Sequence, residues 1–349
     1  MKRILVIGGS RYFGKSLVTR LRDAGDDVMV LNRGSSAPPP GVGRLLADRD
    51  DEAGLRTALG RRDFDVVVDQ VCYTPLQAAV ARRVFAGRTG RYVMTSTMEV
   101  YDPATLPADS GPRTAPGLPA VPVVEGDLDL TRPPLRYRQE PAAPAPGDTR
   151  AQARAYAEGK RRAEAVFLHG PLGPLGPTGP HEPLGPTGPH ESNEPLEPTG
   201  PPFPFVSVRT AHVLGGGRAE FTGRLAHYVR RIAAGIPVDV HAAPYGTSFI
   251  HHLEMADFLD WTARQTFTGP VNAASHGAPD VLDLCATVAE RLGRRPHHRV
   301  VEAGADASPF SFDRAYAMDN GRATALGFAF GRVADWLPGA VTETARATG

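Results

Sequence analysis

An α/β fold, a doubly wound parallel sheet, is predicted by three observations. Residues 4–31 run strand, glycine turn, helix, strand; apolar strand-like runs resume at 64–69, 92–97 and 205–208; and two amphipathic stretches follow towards the C-terminus. Ile4-Leu5-Val6-Ile7 is bounded by Gly8-Gly9, after which Phe13, Leu17, Val18 and Leu21 recur at helical spacing until Gly25. Val28-Met29-Val30-Leu31 reads as the second strand. This order is the Rossmann-like opening of a dinucleotide-binding unit, where amides at the helix N-terminus hold a pyrophosphate. Gly8 and Gly14 stand where such a turn needs glycine, with Arg11 at the middle position.

The second strand ends in Asn32-Arg33. An acidic residue there would bind the ribose hydroxyls of NAD, whereas arginine suits a 2′-phosphate, and Arg11 can reach the same phosphate from the glycine turn. NADP(H) is therefore favoured, with NAD(H) the alternative. Against this, Arg33 opens a polar loop, Gly34-Ser35-Ser36-Ala37, in which it would simply be solvated.

Tyr156 and Lys160 lie one helical turn apart, and Lys160 is one of only three lysines, with Lys2 and Lys15, among 39 basic residues. A chain that relies on arginine has kept lysine where a compact point charge differs from a planar fork. Such a charge beside a phenol lowers its pKa, so the spacing points to Tyr156 as an acid/base. A tyrosine and a lysine at this spacing can also simply pack together.

Together these runs resemble the extended short-chain dehydrogenase/reductases, the NAD-dependent epimerase/dehydratase superfamily. Gly8-Gly9-Ser10-Arg11-Tyr12-Phe13-Gly14 resembles its branch with arginine in the glycine-rich turn. The resemblance continues through Asp48-Arg49-Asp50, Phe64 to Asp69, Tyr92 to Thr97, the Tyr156 and Lys160 pair, and Phe249-Ile250-His251. It implies a Rossmann-like sheet with a smaller C-terminal substrate-binding lobe. It also implies a cofactor site drawn from Gly8, Ser10, Arg11, Tyr12, Phe13, Gly14, Asn32, Arg33, Asp48, Arg49, Tyr156 and Lys160, with Asp48 meeting the adenine amino group. Thr97, four residues before Tyr101, would hold the substrate oxygen beside Tyr156, and Lys160 would bind the nicotinamide ribose.

Thr97-Met98-Glu99-Val100-Tyr101 resembles the loop of sugar-nucleotide dehydratases and decarboxylases, whose glutamate moves a proton, although Met98 replaces the aspartate usual in the 4,6-dehydratases. If the strand persists, Thr97 and Glu99 share a face. His212 replaces the family's asparagine after the sixth strand, as a substrate contact or as a structural histidine. Arginines that grip a nucleotide-sugar pyrophosphate in the family are missing, since Gly246-Thr247-Ser248 and Val301-Glu302-Ala303-Gly304 stand in their places.

The resulting expectation is an NAD(P)-dependent oxidoreductase acting on a secondary alcohol or ketone of a sugar-like or polyhydroxylated small molecule. The alternatives are a sugar or nucleotide-sugar epimerase, dehydratase or decarboxylase using Glu99, and a non-catalytic nucleotide- or RNA-binding relative. The resemblance also implies a homodimer through the helices around 76–86 and 151–167.

Residues 1–168 form the expected dinucleotide-binding domain, with a Pro-rich insert at 102–149 that separates Thr97 from Tyr156 by 59 positions. Within it, Val124 to Asp129 reads as a solvated acidic turn or a substrate contact. In 169–202 the nine residues 174–182 recur unchanged at 183–191, and Gly and Pro every few residues oppose helix and sheet, so this segment reads as a surface insertion. Residues 203–349 supply the remaining strands and the C-terminal lobe, with apolar faces at Phe221, Leu225, Tyr228, Val229 and Ile232 and at Val281, Cys285, Val288 and Leu292.

A net charge of +1 gives no bias towards nucleic acid. Two cysteines, no leader-like segment and no long apolar run point to a cytoplasmic protein without a membrane span. The adjacent pairs His251-His252 and His297-His298 lack metal-ligand spacing, so no metal is expected.

Overall fold

The computed structural model describes residues 1–102, 121–130, 144–145, 147–169, 203–302 and 304–348. Most of the Pro-rich insert and the repeat at 174–191 lie outside these residues. Seven strands form one parallel sheet: β1 (Arg3–Ile7), β2 (Asp27–Asn32), β3 (Gly43–Leu46), β4 (Val66–Asp69), β5 (Tyr92–Thr97), β6 (Phe205–Thr210) and, later in the chain, β10 (Gly269–Ala273). Their order is β10-β6-β5-β4-β1-β2-β3, with every neighbouring pair parallel. The winding reverses between β1 and β4, and the crevice beyond the carboxyl ends of strands at such a switch point is where this architecture binds ligands.

Burial follows from the strand sequences. Ile4, Val6, Val68 and Val206 face one side with α1 (Tyr12–Asp23) and α6 (His252–Arg264). Leu5, Ile7, Val67, Tyr92 and Met94 face the other, with α2 (Glu52–Leu59), α3 (Pro75–Phe85) and α4 (Thr149–His169). A strand buried on both faces reads as a continuous apolar run, which is why these were visible in the sequence.

The rest of the chain builds a second core from α5 (Arg224–Ala233), α7 (Val281–Leu292) and α9 (Val333–Thr348). Two parallel pairs accompany it: β7 (His212–Leu214) with β9 (Phe249–His251), and β8 (Val238–His241) with β11 (His298–Val301). A short helix, α8 (Gly321–Ala325), packs near β10. No helix among the described residues is long and apolar enough to cross a membrane.

Two expectations need correcting. Phe221 does not belong to the apolar face of α5; the helix starts after Gly223, which sits at φ 64, and Phe221 is 75% exposed. Val124 to Asp129 is solvated only in part: Val124, Gly126, Asp127 and Asp129 are exposed, but Leu128 and Glu125 are buried and the Glu125 carboxylate accepts from the Asn272 amide at 2.7 Å.

Candidate active site

The glycine turn follows β1 directly. Gly8 and Gly9 lie at φ 96 and 68, and a Cβ on Gly9 would come within 2.7 Å of Val6 Cγ1. Gly14 leaves room for the Gln70 side chain, which reaches in from the end of β4. Arg11 occupies the N-cap of α1 without any side-chain cap, and the first turn carries no acidic residue. Among the described residues the first-turn amides are thus free of side-chain partners, the electrostatic setting that suits a phosphate. Tyr12 holds φ 50, anchored by its hydroxyl to the Gly215 carbonyl at 3.0 Å and stacked on His252 at 5.5 Å. Phe13 packs against the first core.

Around this turn the expected cofactor residues divide. Ser10 Oγ donates to the Gly8 carbonyl and accepts from Asn32 Nδ2 at 2.8 Å. Arg11 and Arg33 are exposed, with no ion pair or hydrogen bond of their side chains among the described residues. Asp48 is exposed two residues beyond β3 and accepts from the Asp50 amide. Arg49 is committed elsewhere: its Nη1 pairs with both oxygens of buried Asp69, at 2.7 and 2.8 Å. Tyr92 also donates to Asp69, at 2.6 Å.

Beyond β5 the geometry differs from the strand expected through Glu99. The strand stops at Thr97, and Met98–Tyr101 forms a 3₁₀ turn because Thr97 Oγ1 accepts from the Glu99 amide at 3.2 Å. Glu99 therefore owes its place to this turn rather than to strand alternation. Its carboxylate accepts from the Tyr316 hydroxyl, and burial pushes its pKa up despite Tyr316, Arg224 and Arg314. Tyr101, by contrast, is buried and bonds Asn272 and Arg209.

Helix α4 brings Tyr156 and Lys160 to the same place. Gly159 lets this happen, since a Cβ there would collide with the Tyr73 carbonyl. Lys160 Nζ donates to the Thr95 carbonyl at 2.8 Å and lies 4.5 Å from the Tyr73 ring and 5.8 Å from the Tyr156 ring. Tyr156 and Tyr73 remain about two-fifths exposed, at 39% and 43%, yet burial raises the pKa of both, as expected for rings lining a cleft. This corrects the expected lowering of Tyr156: desolvation dominates, the Thr97 hydroxyl and Arg224 only partly oppose it, and the ammonium of Lys160 is spent on Thr95.

His212 is buried among Phe249, Phe310, Phe312 and Tyr316, and its Nδ1 meets Arg224 Nη1 at 3.2 Å. Desolvation and Arg224 hold its pKa far below the usual histidine range, so the ring is neutral. Sequence reasoning missed Tyr73, Arg224 and Tyr316, which carry no local motif and reach the cleft only through folding. Among the described residues no group of three or more His, Cys, Asp or Glu side chains is placed to hold a metal ion.

No family model matches the chain. A 2′-dehydrokanamycin reductase from Streptomyces kanamyceticus is 32% identical over 118 residues, so the match spans about a third of either protein, 33% of each. Solved structures match over nearly the whole chain at low identity. The UDP-glucose 4-epimerase of Thermus thermophilus, in complex with NAD, is 17% identical with TM-score 0.58, covering 99% of this chain and 98% of its own. The dTDP-glucose 4,6-dehydratase of Bacillus anthracis, also with NAD, is 13% identical with TM-score 0.63, covering 98% and 96%. The UDP-N-acetylglucosamine 4-epimerase of Methanobrevibacter ruminantium M1, with UDP-N-acetylmuramic acid, is 16% identical with TM-score 0.62, covering 99% and 97%. The chain therefore has the fold of the nucleotide-sugar epimerases and dehydratases, the extended short-chain dehydrogenase/reductase fold.

Proposed function

We propose that the chain is an NADP(H)-dependent oxidoreductase that reduces a ketone, or oxidises the matching secondary alcohol, on a sugar-like or polyhydroxylated small molecule. The observation that carries this reading is the convergence of Thr97, Tyr156 and Lys160 on one cleft at the carboxyl end of β5. The glycine turn fits a dinucleotide pyrophosphate, as its positive-φ glycines and uncapped α1 amides require. A dinucleotide bound with its pyrophosphate at this turn would supply hydride from its nicotinamide to the carbonyl carbon. Tyr156, beside the Thr97 hydroxyl, gives its proton to the substrate oxygen. The Thr97 hydroxyl holds that oxygen, and Arg224 eases the charge left on Tyr156.

The Streptomyces protein that matches a third of the chain is a reductase by name, which supports net reduction here. Exposed Arg11 and Arg33, and the amide of Asn32 where a carboxylate would bind ribose hydroxyls, support NADP(H) over NAD(H). Two buried free cysteines suit a reducing cytoplasm.

One observation favours a second reading. Glu99 is buried enough to keep a proton above the ordinary carboxylate range, so it can move one in an epimerase or dehydratase cycle. Denaturing the purified protein and weighing the released nucleotide separates the two. Stoichiometric NAD(H) supports the internal cycle, and an empty site that takes up NADPH supports net reduction. In either case Tyr156→Phe abolishes turnover while binding of the nicotinamide dinucleotide persists; full activity in that variant refutes both.

A further inference from the structure

A third arginine, Arg44 of β3, meets the end of β2 at Asn32, which Arg33 follows and to which the Arg11 turn is tied through Ser10. Arg44 stands on β3 opposite Val30, and its Nε donates to Asn32 Oδ1 at 3.3 Å. Asn32 is otherwise fully engaged: the Gly34 amide donates to the same Oδ1 at 3.0 Å, and Nδ2 donates to Ser10 Oγ at 2.8 Å and the Ser36 carbonyl at 3.1 Å. This one side chain therefore knits the glycine turn, the 33–36 turn and Arg44 into a single patch. The Nη2 of Arg44 is buried and has no hydrogen-bond partner among the described residues. It lies against Gly34, 3.6 Å from where a Cβ would stand, so a residue without a side chain sits over it. None of Arg11, Arg33 and Arg44 is in an ion pair among the described residues, and no acidic residue occurs between 32 and 46.

We propose that Arg44 is a specificity-determining residue for the cofactor, the third cation of a site for the 2′-phosphate on its adenosine ribose. The inference rests on the NADP(H) reading and adds a residue to it. A phosphomonoester offers three strong acceptor oxygens and close to two negative charges, which one guanidinium alone does not satisfy. Arg11 and Arg33 are exposed, which leaves their guanidinium groups free to meet it from the solvent side. Arg44 approaches from the strand side, and a phosphate oxygen at the Gly34 turn gives Nη2 the acceptor it lacks, because an unmade buried bond is costly. Asn32 sets the position of Arg44 and cannot itself bind the paired ribose hydroxyls of NAD as a carboxylate does.

Calorimetric titration of the full-length protein with NADPH, NADH, 2′,5′-ADP and 5′-ADP tests this without a substrate. Arg44→Gln weakens NADPH and 2′,5′-ADP by roughly tenfold or more, as loss of a charge-assisted phosphate contact does. NADH and 5′-ADP stay within about twofold, and Arg44→Lys, which keeps the charge without the fork, falls in between. Equal weakening of all four ligands would mark Arg44 as structural support for Asn32 and overturn the proposal, as would unchanged NADPH affinity. If the wild-type protein itself binds NADH more tightly than NADPH, the NADP(H) reading fails and this proposal with it. If it prefers NADPH and Arg44→Gln keeps the full preference, only the role of Arg44 falls. A thermal melt of each variant confirms that the fold is retained before affinities are compared.

Discussion

Lys160 stood out because arginine is this chain's ordinary cation, but what surrounds it could not be read from spacing. Its ammonium is buried between the Thr95 carbonyl and the Tyr73 ring. Burial pushes its pKa down to about 8; Cys72, Asp69 and Glu164 oppose that and Arg49 assists it. The folded-state value thus lies below that of the unfolded chain, about 10.4. Between the two values the unfolded chain binds more protons, so the stability associated with Lys160 rises with pH across this window. Below it, the buried charge is retained at full cost. The expected outcome is that the wild type gains stability relative to Lys160→Met by up to about 3 kcal/mol from neutral pH to roughly pH 10.5. Urea denaturation of both proteins across that range measures it, and taking the difference cancels the tyrosines, whose raised values act in the opposite sense. A difference independent of pH would mean that the ammonium is not buried as described.

Helix α4 carries Tyr156, Lys160 and Glu164 at steps of four, and its hold on the sheet is a buried ion pair. Arg209 on β6 donates to both oxygens of Glu164, with Nη2 at 2.8 Å, and to the Tyr101 hydroxyl at 2.8 Å. Ser96 donates to the same carboxylate, and the Glu125 carbonyl accepts from Arg209 at 3.2 Å. Removing one partner of such a pair strands the other charge, so Arg209→Met should cost about 3–5 kcal/mol in urea denaturation. Adding Glu164→Leu to that variant should recover part of the loss; a further additive loss would show that the two side chains do not act as a pair. This network also marks where the sequence stops being legible. The strands were plain because double-sided burial makes apolar runs, and α5 and α7 because one face is apolar. The end of β5 was not, since a single Thr97 hydroxyl captures the Glu99 amide and turns the chain. Nor was Glu125, whose burial depends on Asn272, distant in sequence and near in space. Within the site, Tyr156, Lys160, Thr97 and the glycine turn belong to local motifs, whereas Tyr73, Arg224 and Tyr316 arrive from separate loops and helices.

At the scale of the whole molecule, the ends of the repeat-bearing segment already touch. Phe167 near the end of α4 stacks on Phe203 at 5.6 Å and on Phe205 of β6 at 4.6 Å, and Tyr92 of β5 lies 4.8 Å from Phe167. The aromatic cluster is completed by Arg82, which donates to the Phe167 carbonyl and lies 5.4 Å from the Phe203 ring. The crossover from α4 to β6 is therefore fixed by side chains that flank residues 170–202, and closing a long loop costs entropy that grows slowly with its length. Replacing residues 170–202 with about six Gly and Ser residues shortens that loop roughly fivefold, for an expected gain of about 1–2 kcal/mol. Calorimetry should show a higher melting temperature, with NADPH binding and turnover unchanged, because Tyr156, Lys160 and Thr97 are held by Tyr73, Thr95 and the Glu164–Arg209 pair. Loss of folding in the shortened chain would mean that the segment packs on the domain. Loss of turnover with folding and cofactor binding intact would place it at the substrate cleft.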